Sequence, residues 1–317
     1  MKKLLITRYH SEELVAQAGK LFDVTVQDQP LDIADAAQAL ADYDAILPTL
    51  GDQFTAQAFD SAGEKLRCRI LANFGVGYSH IDVKAAAAAG VRVSNTPDVL
   101  TDATADIGMT LLLATARRAG EGERLVRSGA WGGFGPKSML GTHVTGKTVG
   151  IIGMGRIGQA VARRCHYGFE MDVIFYNRSK KDVDFPASQL NALTDVMRQA
   201  DFVVITTPGG AETTNLIDVD ALATKKPSGI LINISRGEVI DEPALIRALQ
   251  LGQIAGAGLD VYVHEPIVPD TLRDLDNCVL LPHLGSATVE TRQAMGQMAF
   301  DNIVAWSEGK EPPQAVN

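Results

Sequence analysis

Short apolar runs alternate with longer stretches of helical hydrophobic spacing along almost the whole chain. Leu4–Thr7, Val24–Val26, Ala45–Leu47, Ile70–Asn73 and Val91–Ser94 read as strands. Between them, Glu12–Ala18, Ile33–Ala41, Gln53–Phe59 and Ile81–Ala89 carry helical periodicity, with Gly19 as a helix stop. Asn95-Thr96-Pro97 marks a turn. Thr101–Arg118 then reads as one long helix, apolar at Ile107 and Leu111–Leu113, with arginines at its end where the helix dipole favours them. The glycine-rich segment Gly129–Gly146, with Trp131 and Phe134, reads as an irregular arm. A second alternation follows. Its strands are Thr148–Ile152, Asp172–Tyr176, Phe202–Thr206, Ile230–Ile234, Ala255–Leu259 and Val279–Leu281. Its helices fall near Ile157–His166, Leu190–Gln199, Asp218–Ala223 and Pro243–Leu251, and a last long helix spans Val289–Ser307. Strand–helix alternation with short connections implies parallel sheets covered on both faces.

The length of 317 residues fits two domains, and 46% hydrophobic with 21% charged residues permits large cores. A formal net charge of −9 argues against nucleic acid or an anionic membrane as partner. The three cysteines, Cys68, Cys165 and Cys278, lie far apart, which fits buried thiols in a reducing compartment. No metal site is expected. The apolar run after Met-Lys-Lys is too short for a signal sequence, and no segment approaches membrane-spanning length. A cytoplasmic location is the expectation.

Candidate chemistry begins at Val149–Gly158, where an apolar strand runs into Gly153-x-Gly155-x-x-Gly158 and a helical stretch follows at once. Gly153 would permit the tight turn, Gly155 the close approach of a pyrophosphate, and Gly158 close helix–strand packing. The helix that opens there would point its free N–H groups and positive dipole end at phosphates. A dinucleotide site is the reading.

The next strand, Val173–Tyr176, ends in Asn177-Arg178-Ser179, where a carboxylate commonly binds the adenosine ribose. A neutral amide, a guanidinium and a hydroxyl suit an added 2′-phosphate, which a carboxylate would repel. Lys180 and Lys181 add positive charge, and Asp182 and Asp184 lie too far along to serve as the missing acid. NADP(H) is therefore the preferred cofactor, with NAD(H) as the alternative.

Three later segments supply reactive groups. Arg236 stands just past the Ile230–Ile234 strand, and ligands of open parallel sheets sit beyond the carboxyl ends of strands. It would hold a carboxylate in a bidentate fork and polarise the neighbouring carbonyl. Val261–Pro266 offers His264 and Glu265, and Leu281–Ser286 offers His283. Neighbours in an extended segment point to opposite sides, so a Glu265–His283 pair is preferred over Glu265–His264. Such a carboxylate would orient the imidazole and favour its protonated form. His10, His80, His143 and His166 lack a comparable setting, and Cys165 reads as packing.

With these residues in view, the chain resembles the D-isomer-specific 2-hydroxyacid dehydrogenase family, most closely its glyoxylate/hydroxypyruvate reductases. The likeness rests on Asn73-Phe-Gly-Val-Gly-Tyr-Ser-His-Ile-Asp82, the Gly153–Gly158 loop, Asn233–Gly237, Gly258-Leu-Asp-Val-Tyr262, His264-Glu-Pro266 and Pro282-His-Leu-Gly-Ser286. It implies two doubly wound parallel-sheet α/β domains. A Rossmann cofactor domain, residues 99–286, would be inserted into a flavodoxin-like substrate domain formed by 1–98 and 287–317. It implies Arg236 as substrate binder, His283 as acid/base and Glu265 as its partner. The Gly75-Val76-Gly77 loop would bind the substrate carboxylate, with Leu50 and Gly51 lining the same site. The dinucleotide would touch Thr104, Arg156, Ile157, Asn177, Arg178, Ser179, Thr207, Pro208, Thr213, Ile234, Asp260 and Gly285. Relatives are usually homodimers, which implies a homodimer built through the long helix Thr101–Arg118 and the arm after it. Phe134 falls where some glyoxylate reductases place a Trp reaching into the partner's pocket. Where formate dehydrogenases have Gln this chain has Glu265, and where phosphite dehydrogenases have Lys it has Val76.

The expected activity is NADPH-preferring reduction of small 2-oxo acids, glyoxylate and hydroxypyruvate first, by hydride transfer. The alternatives are an NAD-linked dehydrogenase for a bulkier acid such as 2-ketogluconate, and a non-catalytic NAD(P)H-sensing interaction protein.

Overall fold

In the computed structural model, which describes residues 1–8 and 10–317, the chain divides into two units: Met1–Leu100 with Thr288–Asn317, and Thr101–Ala287. The first unit begins with β1 (Lys3–Thr7), α1 (Glu12–Gly19), β2 (Asp23–Gln27), α2 (Ile33–Asp42) and β3 (Ala45–Leu47). It continues with α3 (Ala56–Ala62), β4 (Ile70–Ala72), α4 (Val83–Ala88) and β5 (Arg92–Ser94). The strands pair in parallel in the order β2-β1-β3-β4-β5, the doubly wound arrangement of flavodoxin-like sheets. Leu5, Ile46 and Leu71 from the central strands pack with Leu40, Phe54 and Phe59 in one core.

Local chemistry sets the helix boundaries. Asp32 and Asp82 side chains accept the amides of Asp35 and Ala85, capping α2 and α4. Gly19 is the last residue of α1, and Lys20 closes that helix in right-handed geometry, so no left-handed glycine cap forms there. The helix expected from Gln53 starts only at Ala56. The amides of Gln53 and Phe54 are bonded to the carbonyls of Leu31 and His80, which keeps both residues out of the helix.

The second unit opens with α5 (Thr101–Ala116) and α6 (Ala119–Arg127), where one helix to Arg118 was expected. The break has a physical cause. The arm passes against the end of α5, and Thr142 donates to the Ala116 carbonyl at 2.7 Å. Arg118 takes a left-handed φ of 54° and bonds Glu121 and the Leu140 carbonyl. On the arm Phe134 is 94% exposed.

The unit continues with β6 (Thr148–Ile152), α7 (Arg156–Phe169), β7 (Asp172–Tyr176), β8 (Ser188–Gln189), α8 (Leu193–Gln199) and β9 (Phe202–Ile205). After these come α9 (Val219–Ala223), β10 (Ile230–Asn233), α10 (Glu242–Gln250), β11 (Gly256–Leu259), α11 (Asp270–Arg273) and β12 (Cys278–Leu280). The sheet is parallel throughout, in the order β12-β11-β10-β9-β6-β7-β8. Counted from β6, this is the Rossmann order 3-2-1-4-5-6 extended by one strand. One face packs on α5 and α7 through Leu111, Val161 and Ile232; the other packs on α8 and α10 through Val196, Leu231 and Leu245. The chain ends with α12 (Val289–Ser307), which belongs to the first unit and sets Phe300 edge-on to Phe22. No helix is long and apolar enough to cross a membrane among the described residues.

One buried charge stands apart in the second unit. Lys225 is 4% exposed and its amino group donates to the carbonyls of Ala200 and Asp201 at 3.3 and 3.4 Å. Burial lowers its pKa to about 7, against the opposing pull of Asp201. Between about pH 7 and the ordinary lysine value the unfolded chain binds more protons than the folded one, so stability rises with pH in that window. Raising the pH from 7 to 10 is expected to stabilise the wild type relative to Lys225→Met, read from urea midpoints. Parallel pH curves for the two proteins would refute this.

Candidate active site

The carboxyl ends of β6, β7 and β9 build a glycine-lined cradle. Gly153 follows β6 with φ +98°, and a Cβ there would lie 2.9 Å from the Thr207 amide nitrogen. A Cβ on Gly158 would lie 2.2 Å from the Gly153 carbonyl oxygen, so the first turn of α7 sits directly on the loop. Gly155 caps α7 without a side-chain bond and meets open space where a Cβ would be. Arg156 and Ile157 begin the helix. Thr206 anchors the loop by donating to the Gly153 carbonyl at 2.6 Å. The Thr207 hydroxyl is buried without a hydrogen-bond partner, alone in this unit among the described residues. A buried, unsatisfied hydroxyl beside an uncapped helix start and a side-chain-free approach fits a dinucleotide pyrophosphate.

Beyond β7, the Asn177 side-chain oxygen accepts the Met154 amide at 3.1 Å, and its amide group donates to the Ser179 carbonyl and hydroxyl. Gln189 on β8 donates to the carbonyls of Asn177 and Ser179, both at 3.1 Å. The turn is thus tied to the glycine loop and to the sheet edge. Arg178 projects from it, 82% exposed, in an ion pair with Glu212. Asp184 pairs with Arg163 and so is engaged elsewhere. In the loop after β9, Thr213 donates to the carbonyls of Pro208 and Gly210.

The ends of β10, β11 and β12 carry the candidate reactive groups. Asn233 is buried; its amide group donates to the Arg236 carbonyl, and its oxygen accepts the Ser235 amide and hydroxyl. That knot turns the chain after Ile234 so that Arg236 stands at the strand end. Burial pulls the Arg236 pKa below its ordinary value while Glu238 and Glu265 oppose the shift. A Cβ on Gly237 would lie 2.0 Å from the Tyr262 carbonyl carbon, so only glycine fits between the two strand ends.

His283 Nδ1 and Glu265 Oε2 are 2.7 Å apart, with side chains 31% and 29% exposed. Burial alone would raise the Glu265 pKa. The hydrogen bond and charge of His283, the Tyr262 amide on Oε1 at 3.0 Å and the charge of Arg236 together hold it below its usual value. An ionised Glu265 only accepts, so the ring carries a proton on Nδ1 and leaves Nε2 for proton exchange. His264 is exposed and not part of this pair. His283 itself has a left-handed φ of 54°, with its amide bonded to the Asp260 carbonyl. The Asp260 carboxylate, 1% exposed, accepts the amides of Leu284 and Gly285 at 2.6 and 2.8 Å, and Thr104 donates to the Gly285 carbonyl.

In the first unit, Gly51 has φ +104° and Leu50 is exposed beside it. The Gly75–Gly77 loop is held by its carbonyls: Asn73 donates to Gly75 and Gly77, Asn95 to Val76, and the Thr96 amide to Gly75. This fixes the orientation of its peptides. Three residues near these sites were not foreseen. Gln189 lies on a strand of two residues, too short to show a period. Glu212 is 34 residues from Arg178. Arg8 packs within 3.2 Å of the position of a Gly51 Cβ and pairs with the buried Asp52 at 3.5 Å. For Arg8 the only sequence signal is its place at the carboxyl end of a strand.

A Rossmann-ordered sheet with a glycine-loop cradle, and a guanidinium and a carboxylate–imidazole pair at neighbouring strand ends, define a nicotinamide-dependent oxidoreductase. More specifically, the chain belongs to the D-isomer specific 2-hydroxyacid dehydrogenases: residues 109–285 match the NAD binding domain of that family. It is 43% identical to the glyoxylate reductase of Pyrococcus furiosus, over 99% of this chain and 95% of the relative. Against the glyoxylate reductase of Thermococcus kodakarensis the identity is 44%, over 99% and 96%. Among solved structures, it is similar to the NADPH-dependent glyoxylate/hydroxypyruvate reductase of Sinorhizobium meliloti in complex with NADP and malonate. That match has a TM-score of 0.88 and 35% identity, covering 99% of this chain and 96% of the other.

Proposed function

We propose that the protein is a cytoplasmic, homodimeric, NADPH-preferring reductase of small 2-oxo acids, glyoxylate and hydroxypyruvate first. The observation that carries the reading is the 2.7 Å contact between His283 and Glu265, within the field of Arg236. In this proposal Arg236 holds the substrate carboxylate and polarises the adjoining carbonyl. A bound nicotinamide cofactor supplies the hydride. His283, protonated on both nitrogens, gives its Nε2 proton to the developing alkoxide, and Glu265 steadies the ring throughout. Leu50, Gly51 and the Gly75-Val76-Gly77 loop are the proposed substrate contacts of the first unit. Thr104, Gly153, Gly155, Arg156, Ile157, Gly158, Asn177, Arg178, Ser179, Thr207, Pro208, Thr213, Ile234, Asp260 and Gly285 are the proposed cofactor contacts.

Support for the 2′-phosphorylated cofactor comes from the Asn177-Arg178-Ser179 turn, which has no carboxylate of its own. The similar reductase of Sinorhizobium meliloti is NADPH-dependent and was solved with NADP. The substrate class is supported by the glyoxylate reductases that match the chain over nearly its full length.

The test is a matrix of NADPH and NADH against glyoxylate, hydroxypyruvate, pyruvate, phenylpyruvate and 2-ketogluconate, followed by absorbance. Highest kcat/KM is expected with NADPH and one of the first two acids; tight NADPH binding without turnover on any acid would end the proposal. In the same assay, Arg178→Asp is expected to lower kcat/KM for NADPH by about 10- to 100-fold, the scale of a lost charge-assisted phosphate contact. NADH use should change little, and equal losses would remove Arg178 from phosphate recognition.

Glu265→Gln keeps the size of the side chain but removes the carboxylate that meets His283 Nδ1. Reduction of glyoxylate is expected to lose about 10- to 100-fold in kcat/KM while NADPH binding stays as in the wild type. An unchanged kcat/KM would remove Glu265 from the reaction.

A further inference from the structure

The ion pair between Arg178 and Glu212 joins two loops that flank the glycine loop on either side. In the sheet, β6 lies between β7 and β9. The chain leaving β6 forms the Gly153–Gly158 cradle, the chain leaving β7 carries Arg178, and the chain leaving β9 carries Glu212. The pair therefore links the loops on the two sides of the cradle. Each partner sits on a built loop. Asn177 and Gln189 tie down the Arg178 turn. On the other side Thr213 bonds the carbonyls of Pro208 and Gly210. The β9 loop is also held at its other end. A Cβ on Gly209 would lie 2.8 Å from Arg236 Cγ, so Glu212 and the backbone packed on Arg236 belong to one short segment.

We infer that Glu212 is a selectivity residue: it occupies Arg178 in competition with the 2′-phosphate and holds down the preference for NADPH. The inference rests on the phosphate-binding role proposed for Arg178. A guanidinium engaged by a carboxylate is released only when the incoming anion displaces that carboxylate. NAD(H) carries no group that needs the guanidinium, so the competition weighs on one dinucleotide only. Both side chains lie in solvent, 82% and 79% exposed, so the effect is modest. Exposed pairs of this kind correspond to about a 1.5- to 5-fold change in an equilibrium constant.

The test titrates 2′,5′-ADP and 5′-ADP into the full-length wild type, Glu212→Gln, Arg178→Gln and the double variant by calorimetry, with NADPH and NADH binding followed by nicotinamide fluorescence. Glu212→Gln is expected to tighten 2′,5′-ADP and NADPH by about 1.5- to 5-fold and leave 5′-ADP and NADH unchanged. In the Arg178→Gln background the gain should vanish, because nothing is left to compete for. Weaker or unaltered 2′,5′-ADP binding by Glu212→Gln would overturn the inference. So would an equal gain for both probes, or the same gain without Arg178, which would mean plain charge repulsion. If Arg178→Gln binds the two probes with the wild-type ratio, the phosphate role of Arg178 fails and the inference with it. If the binding pattern holds while no 2-oxo acid is reduced, the Glu212 role stands and the proposed reaction does not.

Discussion

The buried carboxylate of Asp260 is the interaction on which the carboxyl edge of the second unit's sheet depends. It stands at the end of β11, and its two oxygens take the amides of Leu284 and Gly285, beyond the next strand. Its backbone carbonyl takes the amide of His283. One residue therefore fixes three successive peptides of the loop, including the left-handed His283 that a free chain would rarely adopt. Burial raises the Asp260 pKa, and the two amides oppose that shift, which is how an acidic group persists 1% exposed. The short contact of His283 with Glu265 presupposes this scaffold, because the ring is aimed by a backbone that Asp260 holds.

A parallel sheet supplies the larger frame. Every strand of the second unit delivers its following loop to the same edge. Neighbouring strands β10, β11 and β12 thus bring Arg236, Glu265 and His283 to that edge although 47 positions separate the first from the last. Close packing then tightens the arrangement. Gly237 lies against the backbone of Tyr262, whose amide is bonded to Glu265, so the strand ends of β10 and β11 leave no room for slack.

These relations explain which features were legible in the sequence. The strands β1, β3, β6 and β7 were visible because each is an apolar run of ordinary length between turn signals, and the glycine loop because its spacing has a steric meaning. The helix α6 was not, because Arg117–Arg124 carries no hydrophobic period, and the break that precedes it is made by the arm, at Gly141 and Thr142. Gln189 and Glu212 escaped for a related reason. Each acts on the Asn177–Ser179 turn from another strand or loop, and a single polar residue in a polar loop gives no local signal. Sequence marks the residues that local sterics or a recognisable chemistry require, Glu265 and His283 among them; no such signal marks Gln189 and Glu212.

Charge at the site follows the same logic of burial. The chain carries a net charge of −9, so an anionic substrate and cofactor need local cations that stay ionised. Lys225 shows what this unit does to a buried ammonium: desolvation takes it to about 7, where half the molecules would be neutral at physiological pH. Arg236 also loses basicity to burial, with Glu238 and Glu265 opposing the loss. A guanidinium begins so far above neutrality that a downward shift leaves it charged, and its planar fork matches a carboxylate through two parallel bonds. A lysine in its place, comparably withdrawn from water, would forfeit both properties. Of the two basic side chains, arginine at the end of β10 is therefore the one that keeps its charge under burial.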